Sequence, residues 1–205
     1  MTAATTRVDG RTARAERTRA AIVDAHLALI GEGDLRPTGE RIAERAGISL
    51  RALWTNFKDM EALFAASGVL LAQRMAETFQ PVDPALPLPQ RVEEFCLQRA
   101  DQLERLAPCA RAAALREPFS AQLRANRARA IGLVRGEIEE LFAKELSLAA
   151  DGDREQLVQA LTAASTWSTW SMLRDEQQLD VPAARGVMSR TVSALLIAAI
   201  TTGLR

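Results

Sequence analysis

Apolar positions along this chain recur at spacings of three and four, not two. From about Arg14 to Gly31, Ile22, Ala25, Leu29 and Ile30 form one such stripe, the pattern of a helix that buries a single face, and "GEGD" ends it. Thr38 then stands where a helix N-cap hydroxyl is needed, just after Pro37, which does not extend a helix backwards. "GERIAERA" supplies a short second helix. Gly47 provides the left-handed residue that closes it, and Ser49 can cap a third helix running to about Phe57. On that third helix Leu53 and Phe57 point inward, while Arg51, Thr55 and Asn56 point outward. Ile42, Ala46 and Ile48 share the same interior. A small residue at the crossing (Ala43), a turning glycine four positions on and an apolar return at Leu53 make a helix-turn-helix pattern, although αα-corners in other helical proteins also turn on glycine.

A long helix follows from Asp59 through Met60, Leu63, Phe64, Leu70, Leu71, Met75 and Phe79. "QPVDPALPLP", residues 80 to 89, interrupts it with four prolines and is the clearest linker. Further helical patterns occupy about 89–106, 108–116, 119–146, 153–178 and 183–204, giving about nine helices and an all-α chain. No strand-like alternation and no internal repeat stands out.

Composition changes the picture only in places. With 205 residues the chain can hold one fair-sized core, or a small module joined to a larger one. Formal net charge is zero, so the total gives no argument for nucleic acid. The distribution does: residues 1–19 carry Arg7, Arg11, Arg14, Arg17 and Arg19 against Asp9 and Glu16, and Arg36, Arg41, Arg45, Arg51 and Lys58 follow. Such groups can meet phosphates or form a solvated surface. Cys96 and Cys109 fall in apolar helical patterns without metal-like spacing, which argues against a disulfide framework or zinc site and for an intracellular chain. His26, the only histidine, lies beside the first apolar stripe and reads as a packed residue. The N-terminal stretch lacks the apolar run of a secretory signal. Val192 to Leu204 is short of the roughly 20 residues that a bilayer crossing needs.

Three stretches, "RTRAAIVDAHLALIGEGD", "PTGERIAERAGIS" and "LRALWTNFKDMEALF", follow one another in order, with only Leu35 and Arg36 between the first two. Over about residues 14 to 64 the chain resembles the TetR family of bacterial transcriptional regulators. The resemblance implies a helix-turn-helix DNA-binding domain of three helices (14–60) after a flexible basic arm (1–13). A larger helical domain (61–205) would dimerise and hold a small effector. It makes Ser49 to Phe57 the recognition helix. Trp54 stands where the family usually has Tyr or Phe, Asn56 where it has His, and Met60 where it has a phosphate-binding Lys.

The DNA-contact candidates are Arg36, Thr38, Ser49, Leu50, Arg51, Trp54, Thr55, Asn56 and Lys58. Arg51 can donate a bidentate pair to guanine O6 and N7, or meet a phosphate instead. Thr55 and Asn56 can bond phosphates or base edges, and Trp54 can stack on the backbone or fill the core. Thr38 begins a helix whose free amides suit a phosphate, with Arg36 just ahead. Arg11 and Arg14 of the arm suit a salt-sensitive phosphate contact or a minor groove. Effector-lining candidates are Met75, Phe95, Arg99, Leu103, Arg116, Trp167 and Trp170, aromatic walls with a few polar anchors. Residues 183–204 are apolar on more than one face, which a partner subunit would cover. With the helix at 153–178 this gives dimer-interface candidates Ala160, Ala164, Ser168, Val187, Met188, Val192, Leu195, Leu196 and Ala199, with Ala163 also small enough for close approach.

The expectation is therefore a cytoplasmic homodimer that binds a palindromic operator in double-stranded DNA and answers to a small organic effector. It needs no metal, cofactor or membrane and acts as a repressor. A helical protein-interaction module without specific DNA reading, or a helical enzyme, are the alternatives; for an enzyme no nucleophile-base or metal constellation assembles from these residues.

Overall fold

The computed structural model describes residues 5–149 and 153–203, with side-chain surroundings from 12 to 149 and from 153 to 201. All regular elements among the described residues are helical. They are α1 (Thr5–Gly31), α2 (Gly39–Arg45), α3 (Leu50–Asn56), α4 (Met60–Thr78), α5 (Leu88–Ala114), α6 (Ala121–Leu141), α7 (Ala143–Leu146), α8 (Asp153–Ala164), α9 (Trp167–Ser171) and α10 (Val181–Gly203). A 3-10 turn covers Glu117–Phe119, and a π-helical turn, Met172–Glu176, continues α9.

Several boundaries differ from the periodicity reading. The first helix starts at Thr5, not near Arg14, although the run before Arg14 is rich in weak helix formers, Thr, Val, Asp and Gly. Of the stretch read as a flexible arm, residues 1–4 lie outside the described residues and 5–13 are helical. The side chains of Arg7 and Arg11 also lie outside what is described. The expected helices at 89–106 and 108–116 are one helix, α5, with Pro108 inside it. Proline removes one hydrogen bond there, but the helix is held on both sides: Leu103 and Ala107 are buried before it and Ala112 after it. Conversely, 119–146 divides at Phe142 into α6 and α7, and 153–178 divides at Ser165 and Thr166 into α8 and α9. Ser165 is fully buried and returns its hydroxyl to the Leu161 carbonyl at 2.8 Å.

The chain forms two compact units. Unit 1 comprises Met1–Thr78 and Pro108–Asn126; unit 2 comprises Phe79–Ala107 and Arg127–Arg205. This partition places α4 with the helix-turn-helix rather than beyond a boundary at 60/61. The reason is packing: Leu63 is fully buried with Ile22, Val23, Ala25, Leu29, Ile42, Ala43, Leu53 and Phe57, so α1 to α4 share one core. A second cluster of unit 1 joins Ile30 and Phe64 to Ala112 and Leu123. Burial of each Leu, Ile, Val or Phe side chain in these clusters is worth roughly 1.5–3 kcal/mol.

Unit 2 has a single larger core, in which Phe95 and Phe142 meet edge to face at 5.6 Å and Trp170 is wholly enclosed. Trp170 donates its indole N–H to Glu104 at 2.8 Å, and Arg174 donates to the same carboxylate at 2.9 Å. Arg91 and Glu145, both buried, form a bidentate pair at 2.6 and 2.9 Å; Arg91 also donates to the carbonyls of Leu141 and Leu86. α10 lends this core Ala184, Met188, Val192 and Leu196, one stripe at a spacing of four.

Candidate nucleic-acid interface and ligand positions

The geometry of the candidate interface begins with local capping. Thr38 is the N-cap of α2, its hydroxyl accepting from the Arg41 amide at 3.4 Å. Gly47 has φ +67°, the left-handed conformation that lets the chain turn after α2. Ser49 caps α3, its hydroxyl accepting from the Ala52 amide at 3.2 Å. The other end of α3 is held by a residue the sequence pattern did not single out for this role. Arg19 of α1 donates to the Asn56 carbonyl at 2.7 Å, and its guanidinium lies 4.0 Å from the centre of the Phe57 ring. A cation at a helix C-terminus answers both the free carbonyl and the negative end of the helix dipole.

These contacts fix which α3 side chains meet solvent. Leu53 is buried; Arg51, Trp54 and Thr55 are exposed; Leu50 and Asn56 are half-buried. The Thr55 hydroxyl donates to the Arg51 carbonyl at 2.8 Å, and the Asn56 amide donates to the Ala52 carbonyl at 2.8 Å. Both side chains thus spend a donor on their own helix and keep acceptor capacity outward. Trp54 combines the two roles considered for it. It is 39% exposed, yet its ring packs so closely on Gly39 that a Cβ there would stand 2.6 Å from the indole. Gly39 therefore serves as the seat for Trp54. Met60, at the family's lysine position, packs half-buried against both clusters of unit 1.

The basic groups separate into two sets. Arg41 pairs with Asp34, and Arg45 makes a bidentate contact with Glu32, one arm at 3.0 Å, so two arginines of α2 are already engaged by the segment that ends α1. Lys58 lies 3.6 Å from Asp59 and is mostly exposed. Arg36 and Arg51 are exposed and make no ion pair among the described residues. Ser49, Arg51, Trp54, Thr55 and Lys58 share the solvent side of α3 and its end; Arg36 and Thr38 lie just before α2.

Two solved structures share this architecture over most of their length. One is a transcriptional regulator from Rhodococcus sp. Rha1, with a TM-score of 0.63 and 18% identity, covering 91% of this chain and 97% of that one. The other is a protein assigned to the TetR family of transcriptional regulators, from Mesorhizobium loti MAFF303099. It has a TM-score of 0.59 and 17% identity, covering 90% and 98%. The chain shares their fold. No protein-family model and no curated protein matches its sequence. The all-α regulator fold expected from the resemblance is thus the fold found, at an identity where only architecture is visible.

The effector candidates fall in both units. Met75, half-buried, and Arg116 belong to unit 1; Phe95, Arg99, Leu103, Trp167 and Trp170 belong to unit 2. Phe95, Leu103 and Trp170 are enclosed in the unit 2 core, with Trp167 packed against it. Arg99 is the polar member, buried 3.6 Å from Glu137 and donating to Gln102 at 2.5 Å. Burial pulls Arg99 below its usual range and pushes Glu137 above, each partly offset by the charge of the other. Arg99 Nε and Glu137 Oε1 are buried without a hydrogen-bond partner, so this pair retains capacity for a further polar group.

Of the dimer-interface candidates, Met188, Val192, Leu196 and Ala164 are buried within unit 2 itself. Ala160, Leu195 and Ala199 are half-buried, whereas Val187 and Ser168 are exposed; the Ser168 hydroxyl accepts from Arg127 at 2.6 Å. Ile197, outside that set, is 55% exposed on the same side of α10 as Val187. Both cysteines are free thiols: burial pushes Cys96 up to about 12 and Cys109 up to about 11, which keeps them protonated. Among the described residues no group of three or more His, Cys, Asp or Glu side chains is placed to hold a metal ion.

Proposed function

We propose that this chain is a homodimeric, sequence-specific DNA-binding transcriptional regulator of the cytoplasm, a repressor released by a small organic effector. The observation that carries this reading is α3 itself: a short helix, capped by Ser49 and Arg19, that turns an unengaged Arg51 to solvent between Trp54 and Thr55. In such a domain the second helix of the turn enters the major groove, and two copies related by a dyad read half-sites about 34–36 Å apart or a multiple of that. Arg51 reads a guanine through its two donors; Arg36, Thr38, Ser49, Trp54, Thr55, Asn56 and Lys58 set the register through phosphate and sugar contacts, with Leu50 in apolar contact beside them. Arg99 and Glu137, in the unit whose core holds Phe95 and Trp170, offer the effector a polar anchor near apolar walls. Release requires the effector to bind the non-operator conformation more tightly than the operator-bound one.

The test compares purified wild type with Arg51→Ala on the DNA upstream of its own coding sequence and on a scrambled duplex, at two salt concentrations. The expected result is selective, salt-sensitive binding that Arg51→Ala weakens by about 1–3 kcal/mol. Selection from a random DNA pool extends the test to a distant operator. Failure of that pool to yield a preferred sequence, or equal selectivity in wild type and Arg51→Ala, overturns the assignment of α3.

A further inference from the structure

Within unit 1, the segment before α2, the start of α4 and the stretch that links α5 to α6 enclose an open cleft of about 390 Å³. That volume lies within the range of small-ligand sites. Its walls set positive charge against apolar surface. Phe64, from α4, is buried in one wall. Leu115 and Phe119 stand at the mouth, and Phe119 is 89% exposed, more than any other large hydrophobic side chain among the described residues. Leu115 and Phe119 together give the lining an exposed apolar surface that a ligand's apolar body can cover.

The same lining holds two guanidinium groups, Arg36 and Arg116. Arg116 lies 4.6 Å from the centre of the Phe64 ring, and its Nε is buried without a hydrogen-bond partner. Neither arginine makes an ion pair among the described residues. Glu61, the one acid in the lining, is occupied by the Ser120 hydroxyl, which donates to it at 2.6 Å. Burial, and then the like charge of Arg36, pull Arg116 below its usual range. Two cations in one lining, one of them carrying an unpaired buried donor and stacked on an aromatic ring, match an anion carrying an apolar body.

We propose that this cleft binds a small organic carboxylate with an aryl or short acyl body. The carboxylate bridges Arg36 and Arg116, and the body lies against Phe64, Leu115 and Phe119. Inorganic phosphate would satisfy the arginines alone and leave the apolar mouth unused. The site is separate from the Arg99 anchor of unit 2; it shares Arg36 with the proposed DNA contacts, and titration in the absence of DNA tests it apart from that reading.

His26 provides the readout. It is the only histidine in the chain, its ring meets Phe64 edge-on at a centroid distance of 4.4 Å, and it feels the charge of Arg116. The full chain is titrated with 4-phenylbutyrate, 4-phenylbutanol and inorganic phosphate, following the His26 ring protons by NMR and the heat of binding by calorimetry. The expected result is a saturable response to 4-phenylbutyrate, with the alcohol and phosphate at least about tenfold weaker. Arg116→Met removes the response, and Phe119→Ala, at an exposed position whose loss leaves the core intact, weakens it severalfold. Absence of a saturable response to 4-phenylbutyrate overturns the proposal. So does equal binding of the alcohol or of phosphate, or unchanged binding in Phe119→Ala together with Arg36→Ala, both of which alter exposed side chains.

Discussion

At the scale of single residues, His26 shows how a polar side chain becomes part of a core. The ring is fully buried; its Nδ1 lies 2.7 Å from the Ser67 hydroxyl, while that hydroxyl donates to the Leu63 carbonyl at 2.9 Å. With the serine proton committed to Leu63, the imidazole donates through Nδ1 and leaves Nε2 as a bare acceptor in an apolar setting, without a partner. Protonation would place a charge there. Burial first, and the charge of Arg116 second, lower the His26 pKa from 6.5 to about 4. Between those values the unfolded chain binds a proton that the folded chain does not, so this residue's stabilisation is complete above 6.5 and is lost as pH falls towards 4. A shift of this size corresponds to about 3 kcal/mol. The NMR titration of the single histidine should therefore have its midpoint near 4, and His26→Phe should flatten the pH dependence of urea unfolding between 4 and 6.5. A midpoint at the ordinary histidine value would show that the ring is hydrated and the account wrong.

At the scale of elements, what the sequence disclosed is what neighbouring residues decide among themselves. Thr38, Gly47 and Ser49 act within one turn of their own helices, so α2, the turn and α3 were legible from their spacing. What stayed hidden depends on residues far apart in the chain. Arg19 caps α3 from 37 positions away, and Arg41 and Arg45 are withdrawn from the basic surface by Asp34 and Glu32. Pro108 reads locally as a stop, yet burial on both sides carries α5 through it. Phe119 carries no pattern at all; its interest arises only from where Arg36 and Arg116 stand. The same distinction locates the most demanding contact of unit 2, the Arg91–Glu145 pair, which joins α5 to α7 across 54 positions. Burial pushes Glu145 up, but hydrogen bonds from Arg91 and from the backbone, with the arginine's charge, more than offset this and hold the carboxylate below its usual range. Its contribution is present above the ordinary carboxylate value and is lost as pH falls through the lowered one. Arg91→Met leaves that carboxylate buried and alone, and should cost about 3–5 kcal/mol in chemical unfolding at neutral pH. The deficit should narrow in acid, where Glu145 is protonated, and Arg91→Met combined with Glu145→Leu should recover much of it. A loss below about 1 kcal/mol in the single variant would mean that the pair is solvated, like a surface bridge.

At the scale of the whole molecule, the open matter is what covers α10. This helix is long and apolar enough, by length and composition, to cross a membrane, and only a minor part of it is buried in the chain's own core. Its inward stripe, Ala184, Met188, Val192 and Leu196, is accounted for by unit 2. Its outward side is not: Gly186, Val187, Thr191, Ala194, Ile197 and Ala198 are exposed, small or β-branched residues at spacings of three and four. Arg190 lies on that same outward side, near the middle of the helix. A lipid-facing arginine at that depth is costly, by about 2.5 kcal/mol or more, whereas at a protein interface it can reach the rim and water. Small side chains also let two helices approach closely. Both considerations favour a second copy of the chain over a bilayer. A dimer formed this way supplies the paired recognition helices that a palindromic operator requires, so association and DNA affinity should fail together. Ile197→Glu alters only an exposed position, so the fold should survive while light scattering falls from twice 22.3 kDa to the mass of one chain. Affinity for a two-half-site duplex should drop at least about tenfold, since one α3 alone must then hold the site. Retention of both the dimer mass and the DNA affinity in Ile197→Glu and in Val187→Glu would remove α10 from the interface and require the dyad to lie elsewhere.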